Sequence, residues 1–543
     1  MYRMSSAGSW QPPRVSNLTH AALACAWPAM ALSALLLLPF LHTPFTIDDP
    51  LYLAEAQHVL EDPFHPLAFD VVWSFDVETR ISNLAHGGIA EPFFLVPTVL
   101  AGNAEWVAHL TEIVALSIAL FATALLALRL GLDRRGATIA ALLAGSAPAV
   151  MGMAGTAMPD IPAMMYTILG MERFLAWRDG RKWHQCLLAA VWLSLAALTR
   201  IQTILFLAPA FVFLLDGISA PEIRSSFRTG WTRFAPVAAV LFVVPAAIWL
   251  AADPLTLTDA ITIQQTHSSL RPILSNVLAF FAHWFLMVPF TISWLLLRWR
   301  GISWRLAVLA IVGAAIVASR FGWAAFVAAA TALVFTDILL DAIRRRDRAQ
   351  LALGLCLLPA LPLAIYVHLP CKYIVPSIPA AAILMARILP AARPAARRWL
   401  PAAAIAASLA VSLLVLIGIR DLARAQRRAA QELVAPRVLA GERVWFTGHW
   451  GFHWYAEAAG AKPAIWLGDV PQPGDTVVVS KIDAYLFVKK WTNKRIIGRF
   501  TYDNPGRVMD QNAGAGFFTN GYGYLPWVWS KGDANVFEIW KIE

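Results

Sequence analysis

The sequence is poor in charge and in cysteine for its length. Of its 543 residues, 14% are charged and 59% are hydrophobic, and the mean hydropathy is +0.59. A soluble domain rarely combines these values, so the composition excludes an ordinary soluble protein and predicts an all-α polytopic membrane protein. No disulfide framework and no zinc motif is implied, because the four cysteines show no CxxC spacing: Cys25, Cys186, Cys356 and Cys371.

Apolar runs long enough to cross a bilayer recur along the chain. A transmembrane helix needs about 20 apolar residues, and hydropathy predicts 13 such helices. They are expected near residues 21–41, 107–129, 137–154, 159–177, 186–199, 201–216, 234–252, 276–297, 306–319, 321–340, 351–370, 374–392 and 399–419. The first run is expected to be a retained span, because it is long and lacks a small-residue cleavage site in the usual place.

Lys and Arg residues lie mainly on one side of these predicted spans. With the N-terminus inside, the inner segments carry 23 of them, and the outer connections before residue 420 carry five. Cytoplasmic loops are enriched in basic residues, so the prediction is a multi-pass protein of the inner (plasma) membrane with a cytoplasmic N-terminus and an external C-terminus. The net charge of +10 is assigned to this orientation, and no nucleic-acid partner is expected.

Acidic residues stand at the outer ends of two predicted spans. The loop of residues 42–106 holds ten acids and one base, and its stretch DDPLYLAEAQHVL begins at Asp48 and Asp49. An aspartate before a proline at a first turn predicts a helix start. A further acid, Asp160, begins a span in MPDIPAMMYTIL. Because helix N-termini favour carboxylates, Asp160 either caps that helix or serves a site at the outer face.

Residues 420–543 differ in kind from the preceding transmembrane part, residues 1–419. Strand-like runs, RVWFTG and DTVVVS, alternate with turn signals and predict a small extracytoplasmic α/β domain. In FTGHWGFHWYAEAAG, His449 and His453 are four residues apart and would share one face of a helix. They form either a metal pair or part of a packed strand-to-helix turn, and the lack of a third ligand nearby in the sequence favours the turn.

Four stretches of the sequence resemble the GT-C superfamily of integral-membrane glycosyltransferases, in particular the group that holds the aminoarabinose transferases and the protein O-mannosyltransferases. They are DDPLYLAEA, EPFFLVPTVLAGNAEWVAHLTEI, MPDIPAMMYTIL and CKYIVPSIPAAAILMA, and the resemblance extends over roughly the first 390 residues. Each motif is short, but four in the family's order and on the expected side of the membrane are more specific than any one.

The resemblance implies a role for each matching residue. It makes Asp48 the catalytic carboxylate and Asp160 a second acid of the active site. The family transfers a sugar from a polyprenyl phosphate to a hydroxyl group. This reaction needs a base to take the proton of the acceptor hydroxyl and cations to bind the departing phosphate. The resemblance also makes Lys372 or a nearby arginine a phosphate contact, and the arginines that the predicted topology places on the outer side are Arg200, Arg271 and Arg320. The predicted substrate-binding residues are Asp49, Tyr52, His86, Arg200, Arg271, Arg320, Lys372 and Tyr373. The lysine and arginines among them have the alternative of snorkelling at span ends.

The chain departs from the family pattern where Glu91 directly precedes Pro92. The family often has a lysine near this place, and a glutamate is not expected to bind phosphate, so His86 is the predicted substitute. Asp49 stands where the family frequently has a glutamate and is expected to support the site or bind metal. Asp48, Asp49 and Asp160 could supply oxygen ligands to magnesium or manganese, although a required metal is not expected and no other cofactor is predicted.

The predicted function is transfer of a sugar from a polyprenyl-phosphate-linked donor to a hydroxyl of a lipid, glycan or protein at the extracytoplasmic face. The alternative is a transporter or flippase of lipid-linked glycans. A transporter should carry ionisable residues deep within its spans, whereas this sequence is nearly uncharged there, with Glu112 near the start of the second span as the main exception.

Overall fold

The structure is a computed structural model, and it describes residues 15–73, 78–81, 84, 88–180, 182–214, 247, 272–299, 301–465, 468–482, 493–502, 508–531 and 535–543. His86 and Arg271 lie outside these residues, as does nearly all of the span predicted near 234–252. The α-helices are α1 (Val15–Leu37), α2 (Asp49–Glu61), α3 (Glu91–Leu100), α4 (Glu105–Arg129), α5 (Arg134–Ser146), α6 (Pro148–Ala154), α7 (Asp160–Gly180), α8 (Trp183–Thr199), α9 (Leu207–Leu214), α10 (Ile273–Met287), α11 (Phe290–Arg298), α12 (Trp304–Phe321), α13 (Ala324–Arg345), α14 (Arg348–Leu355), α15 (Ile378–Ile388), α16 (Pro394–Ala429), α17 (Ala435–Leu439) and α18 (Trp450–Ala458).

Six helical segments of the described part are long and apolar enough to cross a membrane, and the number rises to eight if each of two bent helix pairs is one span. The pairs are α5 with α6 and α10 with α11. The six segments are Leu18–Phe40, Glu105–Arg129, Trp304–Phe321, Ala324–Arg345, Cys371–Ala391 and Pro394–Leu439. The chain is therefore a multi-pass membrane protein, whereas the predicted count of 13 spans is not confirmed.

Prolines explain several departures from the predicted spans. The span predicted near 276–297 is bent by 91° where Pro289 separates α10 from α11, and the one near 137–154 is bent by 57° before Pro148. Proline lacks an N–H donor and its ring clashes with the preceding turn, so a helix bends or ends there. The run near 351–370 forms only α14 and a short 3-10 turn. Its prolines are Pro359, Pro362 and Pro370.

Helices α7 and α8 form a hairpin that positions part of the site. Gly170 in α7 packs against Leu193 in α8, where a Cβ would lie only 2.6 Å from the Leu193 side chain. The missing side chain lets the two helices approach closely. Because they run in opposite directions, the hairpin brings the first residue of α7, Asp160, to the level of Arg200, which directly follows α8.

The loop of residues 42–106, called the outer loop after its predicted position, docks on the same end of α8. The backbone N–H of Gly88 donates to the carbonyl oxygen of Thr199 at 2.9 Å, and that of Ala90 donates to the carbonyl oxygen of Leu198 at 3.1 Å. A Cβ on Gly88 would overlap the Leu198 carbonyl, so glycine alone allows this approach. The contact places Glu91, the first residue of α3, beside the end of the hairpin.

The described strands form two sheets. In the outer loop, β1 (Asp70–Val72) pairs antiparallel with β2 (Glu78–Arg80). Five strands near the C-terminus form one sheet in the order β4-β3-β5-β7-β6, in which β3 pairs parallel with β4 and β5, and β7 pairs antiparallel with β5 and β6. They are β3 (Val444–Thr447), β4 (Lys462–Pro463), β5 (Thr476–Ser480), β6 (Lys494–Tyr502) and β7 (Asn535–Ile542). We call residues 444–543 the C-terminal sheet region.

The two strand runs seen in the sequence are thus β3 and β5, which are buried along their whole length. Helix α16 continues without a break across the predicted domain boundary between residues 419 and 420. The division of the chain at this boundary stays a prediction.

Candidate active site

Asp48 and Lys372 form the accessible part of the candidate site. Asp48 directly precedes α2, and its side chain makes no capping hydrogen bond to that helix. Its Oδ2 instead accepts a hydrogen bond from Lys372 Nζ at 3.0 Å. The Asp48 side chain keeps 29% of its surface accessible, whereas that of Lys372 keeps 6%. The pair therefore joins the first sequence motif to the late CKYIVPS motif with its carboxylate open to a ligand.

Asp48 is held in its ionised form by its neighbours. Burial opposes the charge, but the attraction and hydrogen bond of Lys372, with smaller contributions from His449 and Arg200, outweigh it and lower the pKa of Asp48 below its ordinary value. A carboxylate that stays ionised at neutral pH is able to accept a proton.

Asp49 is inaccessible, unlike Asp48, and it connects two loops through hydrogen bonds. Its side chain is fully buried. Oδ2 accepts the N–H of Thr46 and Oδ1 accepts the N–H of Ala157, both at 2.9 Å. Burial raises the pKa of Asp49 to about 7 despite these hydrogen bonds. Since both oxygens serve the backbone, the geometry favours a positioning role for Asp49 between the two acidic motifs over substrate contact.

Asp160 and Arg200 form a second, buried ion pair. The distance between Arg200 Nη2 and Asp160 Oδ2 is 2.9 Å, and the two side chains are 1% and 0% exposed. The second oxygen of Asp160 has no hydrogen-bond partner within the described residues, so the carboxylate serves Arg200 and does not cap α7. The guanidinium of Arg200 also lies 5.4 Å from the ring centre of Tyr373, the residue after Lys372.

Tyr52 lies among these charges. It is buried one helical turn after Asp48, and it interacts electrostatically with Arg200, Asp48 and Asp160. Burial raises the pKa of Tyr52 well above its ordinary value, so the phenol keeps its proton and remains a hydrogen-bond donor. The structure thus brings together six of the predicted site residues: Asp48, Asp160, Arg200, Tyr52, Lys372 and Tyr373.

Three buried glutamates adjoin this group and were not assigned to the site from the sequence. Glu55, Glu91 and Glu112 are fully buried, and neither carboxyl oxygen of any of them has a hydrogen-bond partner in the described part of the chain. Arg200 is the cation that acts on both Glu55 and Glu91. Burial raises the pKa of Glu55 well above its ordinary value. The sequence alone could have pointed to Glu112, because an ionisable residue within a membrane span is by default a candidate functional residue.

Arg320 is not part of this group. It is exposed near the end of α12, and its guanidinium lies 5.2 Å from the ring centre of its neighbour Phe321. This placement fits the snorkelling alternative. Among the described residues, neither of the two ion pairs includes Arg320. The other two predicted ligands, His86 and Arg271, lie outside the described residues.

The three aspartates do not converge as metal ligands. Asp48 is bound to Lys372, Asp49 to two backbone N–H groups and Asp160 to Arg200. Among the residues that the structure describes, no group of three or more His, Cys, Asp or Glu side chains is arranged to hold a metal ion. The donor set therefore does not fit the magnesium or manganese site considered from the sequence.

The sequence comparison identifies the class of protein that the chain resembles. Residues 93–249 match the family model of dolichyl-phosphate-mannose-protein mannosyltransferases. This stretch includes the MPDIPAMMYTIL motif and covers less than half of the chain. The resemblance to membrane glycosyltransferases of this group is thereby confirmed, and it supports an enzyme. No curated protein matches the chain.

Two solved structures show a weaker likeness. ArnT from Cupriavidus metallidurans, bound to undecaprenyl phosphate, is similar at 12% identity and a TM-score of 0.49, over 97% of this chain and 98% of that one. The oligosaccharyltransferase of Archaeoglobus fulgidus, in complex with zinc and sulfate, is similar at 14% identity and a TM-score of 0.42, over 80% of this chain and 62% of that one. Both scores are too low for either likeness to support a conclusion about the chemistry of this chain.

Proposed function

We propose that this protein transfers a sugar from a polyprenyl-phosphate-linked donor to the hydroxyl of an acceptor at the extracytoplasmic face of the inner membrane. The observation that carries the proposal is the accessible Asp48–Lys372 pair beside the buried Asp160–Arg200 pair. The name of the matching family supports a lipid-phosphate donor, because its members use dolichyl-phosphate mannose. The donor would then reach the protein from the surrounding bilayer.

The proposed reaction forms one bond and breaks one. The oxygen of the acceptor hydroxyl attacks the anomeric carbon of the donor sugar, and the bond from that carbon to the phosphate oxygen breaks. The electron pair leaves with the polyprenyl phosphate, and the hydroxyl proton passes to Asp48. Because the pKa of Asp48 is low, it accepts this proton late, when bonding to the anomeric carbon has made the hydroxyl acidic.

Lys372 is the proposed contact for the phosphate. It is a buried cation bonded to the accessible carboxylate of Asp48, and a point charge near a departing phosphate lowers the barrier to its departure. Arg200 is fixed by Asp160 and stacks near Tyr373, so it supports the phosphate side electrostatically from a buried position. In this proposal Asp160 assists by orienting Arg200, and Tyr52 and Tyr373 line the site.

The test is sugar transfer by the full-length protein in liposomes, supplied with a panel of radiolabelled polyprenyl-phosphate sugars. We expect at least one donor to be consumed. Asp48→Asn should lower that rate about 10²–10⁴-fold, the usual contribution of a positioned general base. Asp62→Asn is the matched control, because Asp62 belongs to the same loop but is exposed and pairs with His65. If wild type consumes none of the donors, the proposed function is wrong.

One observation favours the alternative of a transporter for lipid-linked glycans. Glu112 lies within the span Glu105–Arg129, and its buried carboxyl oxygens have no partner among the described residues. Such residues occur on the substrate or proton pathways of transporters. Movement of a fluorescent lipid-linked glycan across liposomes distinguishes the two functions. Transport that persists in Asp48→Asn but is lost in Glu112→Gln would support the transporter.

A further inference from the structure

The C-terminal sheet region docks on the segment before the candidate catalytic aspartate through the start of α18. Gly451 lies so close to the chain before Asp48 that an added Cβ would stand 2.1 Å from the carbonyl oxygen of Phe45. The start of α18 therefore packs backbone against backbone on the segment before Asp48. A larger residue at position 451 would force these two segments apart.

A hydrogen-bond chain fixes the segment that leads to Asp48. The N–H of Phe45 donates to the Tyr455 hydroxyl oxygen at 2.9 Å, and that hydroxyl donates to Glu105 at 2.5 Å. Glu105 also accepts from Arg427, with both carboxylate oxygens at 2.9 Å. Residues of α4, α16 and α18 thus hold the segment before Asp48 in one position.

Backbone strain stands next to both Asp48 and His449. Ile47, which precedes Asp48, has a φ of 50°, and Trp450, which follows His449, has a φ of 61°. A β-branched or bulky residue in this left-handed region costs on the order of 1–3 kcal/mol and persists only where its surroundings enforce it. Such residues cluster at functional sites. The two strained residues therefore favour a functional role for their neighbours Asp48 and His449.

His449 lies in a packed position directly before α18, the helix that docks on the segment leading to Asp48. It is 5% exposed, and its ring centre is 5.7 Å from that of Trp73 in the outer loop and 5.2 Å from that of Trp450. It is one of the three groups whose charge favours the ionised form of Asp48. The imidazole is therefore held by aromatic rings from two parts of the chain, within electrostatic reach of the carboxylate.

We propose that His449 is a positioning residue of the active site, delivered by the C-terminal sheet region to hold Asp48 ready for the acceptor proton. This inference rests on the proposed function for the role of Asp48. The other cations that act on Asp48 are Lys372 and Arg200, and Asp49, Tyr52 and Glu55 are its titratable neighbours. The C-terminal sheet region is then part of the catalytic unit.

The kinetic test compares His449→Gln with His453→Gln. His453 is the matched control, because it contacts the same Trp73 at 5.5 Å but pairs with Glu457 at 3.3 Å. We expect His449→Gln to lower kcat on the order of tenfold with little change in the donor KM, since orientation of the base is lost. The acid limb of its pH–rate profile should move to higher pH. Profiles equal to those of His453→Gln would overturn the inference.

A second measurement does not depend on sugar transfer. The full-length protein is treated with a water-soluble carbodiimide over a range of pH, and mass spectrometry follows modification of Asp48 or its amide bond to Lys372. Carbodiimides react with protonated carboxyl groups, so His449→Gln should be half-modified at higher pH than wild type and His453→Gln. Identical curves in all three proteins would contradict the role of His449, even if every donor sugar proved inactive.

Discussion

Asp48 with Lys372 and Asp160 with Arg200 are ion pairs of nearly equal length, 3.0 and 2.9 Å, but they differ in their access to solvent. The Asp48 side chain is 29% exposed, whereas both partners of the second pair are at most 1% exposed. A ligand can reach Asp48 in the first pair, because its carboxylate is partly solvated while its partner Lys372 is only 6% exposed. Separating the second pair leaves a buried charge uncompensated. The first pair is therefore suited to reaction and the second to support.

The difference between the two ion pairs predicts that substitution of Arg200 has the largest effect on stability. Arg200→Met leaves Asp160 without its cation and removes the cation that acts on Glu55 and Glu91, so we expect the free energy of unfolding to fall by about 3–5 kcal/mol. Thermal unfolding of the purified protein in detergent measures it. Adding Asp160→Asn should recover part of the loss, because the buried charge is then also removed.

The control for this prediction is Arg428→Met, which removes an arginine 59% exposed and paired with Glu432 one helical turn away. An exposed pair of this kind contributes about 0.3–0.5 kcal/mol, so its melting temperature should barely change. If Arg200→Met melts like this control, the buried pair does not stabilise the fold and the contrast between the two pairs is lost.

Lys372 tests the accessible pair. Lys372→Met removes the main group that opposes burial, so the pKa of Asp48 should rise. The ionised carboxylate is the active form of the base, and a higher pKa means that activity is lost at higher pH during acidification. The pH–rate profile measures this shift. At neutral pH, kcat/KM should fall roughly tenfold or more, because a hydrogen bond to a charged group contributes about 1.5–3 kcal/mol.

Two further variants sharpen the Lys372 prediction. Lys372→Arg keeps the positive charge and should leave the acid limb closer to that of wild type. Lys462→Met removes an exposed lysine in β4 and should change neither rate nor profile. An acid limb that stays in place in Lys372→Met would mean that another group sets the ionisation of Asp48.

Local features of the site could be predicted from the sequence, whereas its contacts could not. The helix after Asp48 and the helix start at Asp160 follow from short stretches with proline near the first turn. The bond between Lys372 and Asp48 joins residues 324 positions apart, and only the folded chain shows it. Asp49 illustrates the same limit, because its two N–H donors belong to different loops and no local pattern distinguishes it from Asp48.

The predicted count of 13 spans is not confirmed, and proline is the physical reason where the described helices differ from it. Hydropathy averages over a window and therefore counts a proline as one residue among many, although a single proline breaks the hydrogen bonding of a helix. The chain bends where Pro289 follows α10, and the run near 351–370 does not form one helix. The sequence contained the signal in both places, but the apolar composition outweighed it in the prediction.

The smallest expected effect concerns Asp49 and the pH dependence of stability. The pKa of Asp49 in the folded protein is raised to about 7 from an ordinary value of 3.8, so the folded state holds this proton more tightly than the unfolded state does. Its stabilising contribution is complete below pH 3.8 and is lost as the pH rises through about 7. Melting temperatures between pH 4 and 8 should therefore decrease less steeply with pH in Asp49→Asn than in wild type. Near pH 4, Asp49→Asn should also have a lower melting temperature than wild type. The reason is that an amide can accept a hydrogen bond from only one of the two N–H groups of Thr46 and Ala157. Parallel curves would show that Asp49 is ionised throughout and that its two hydrogen bonds outweigh its burial.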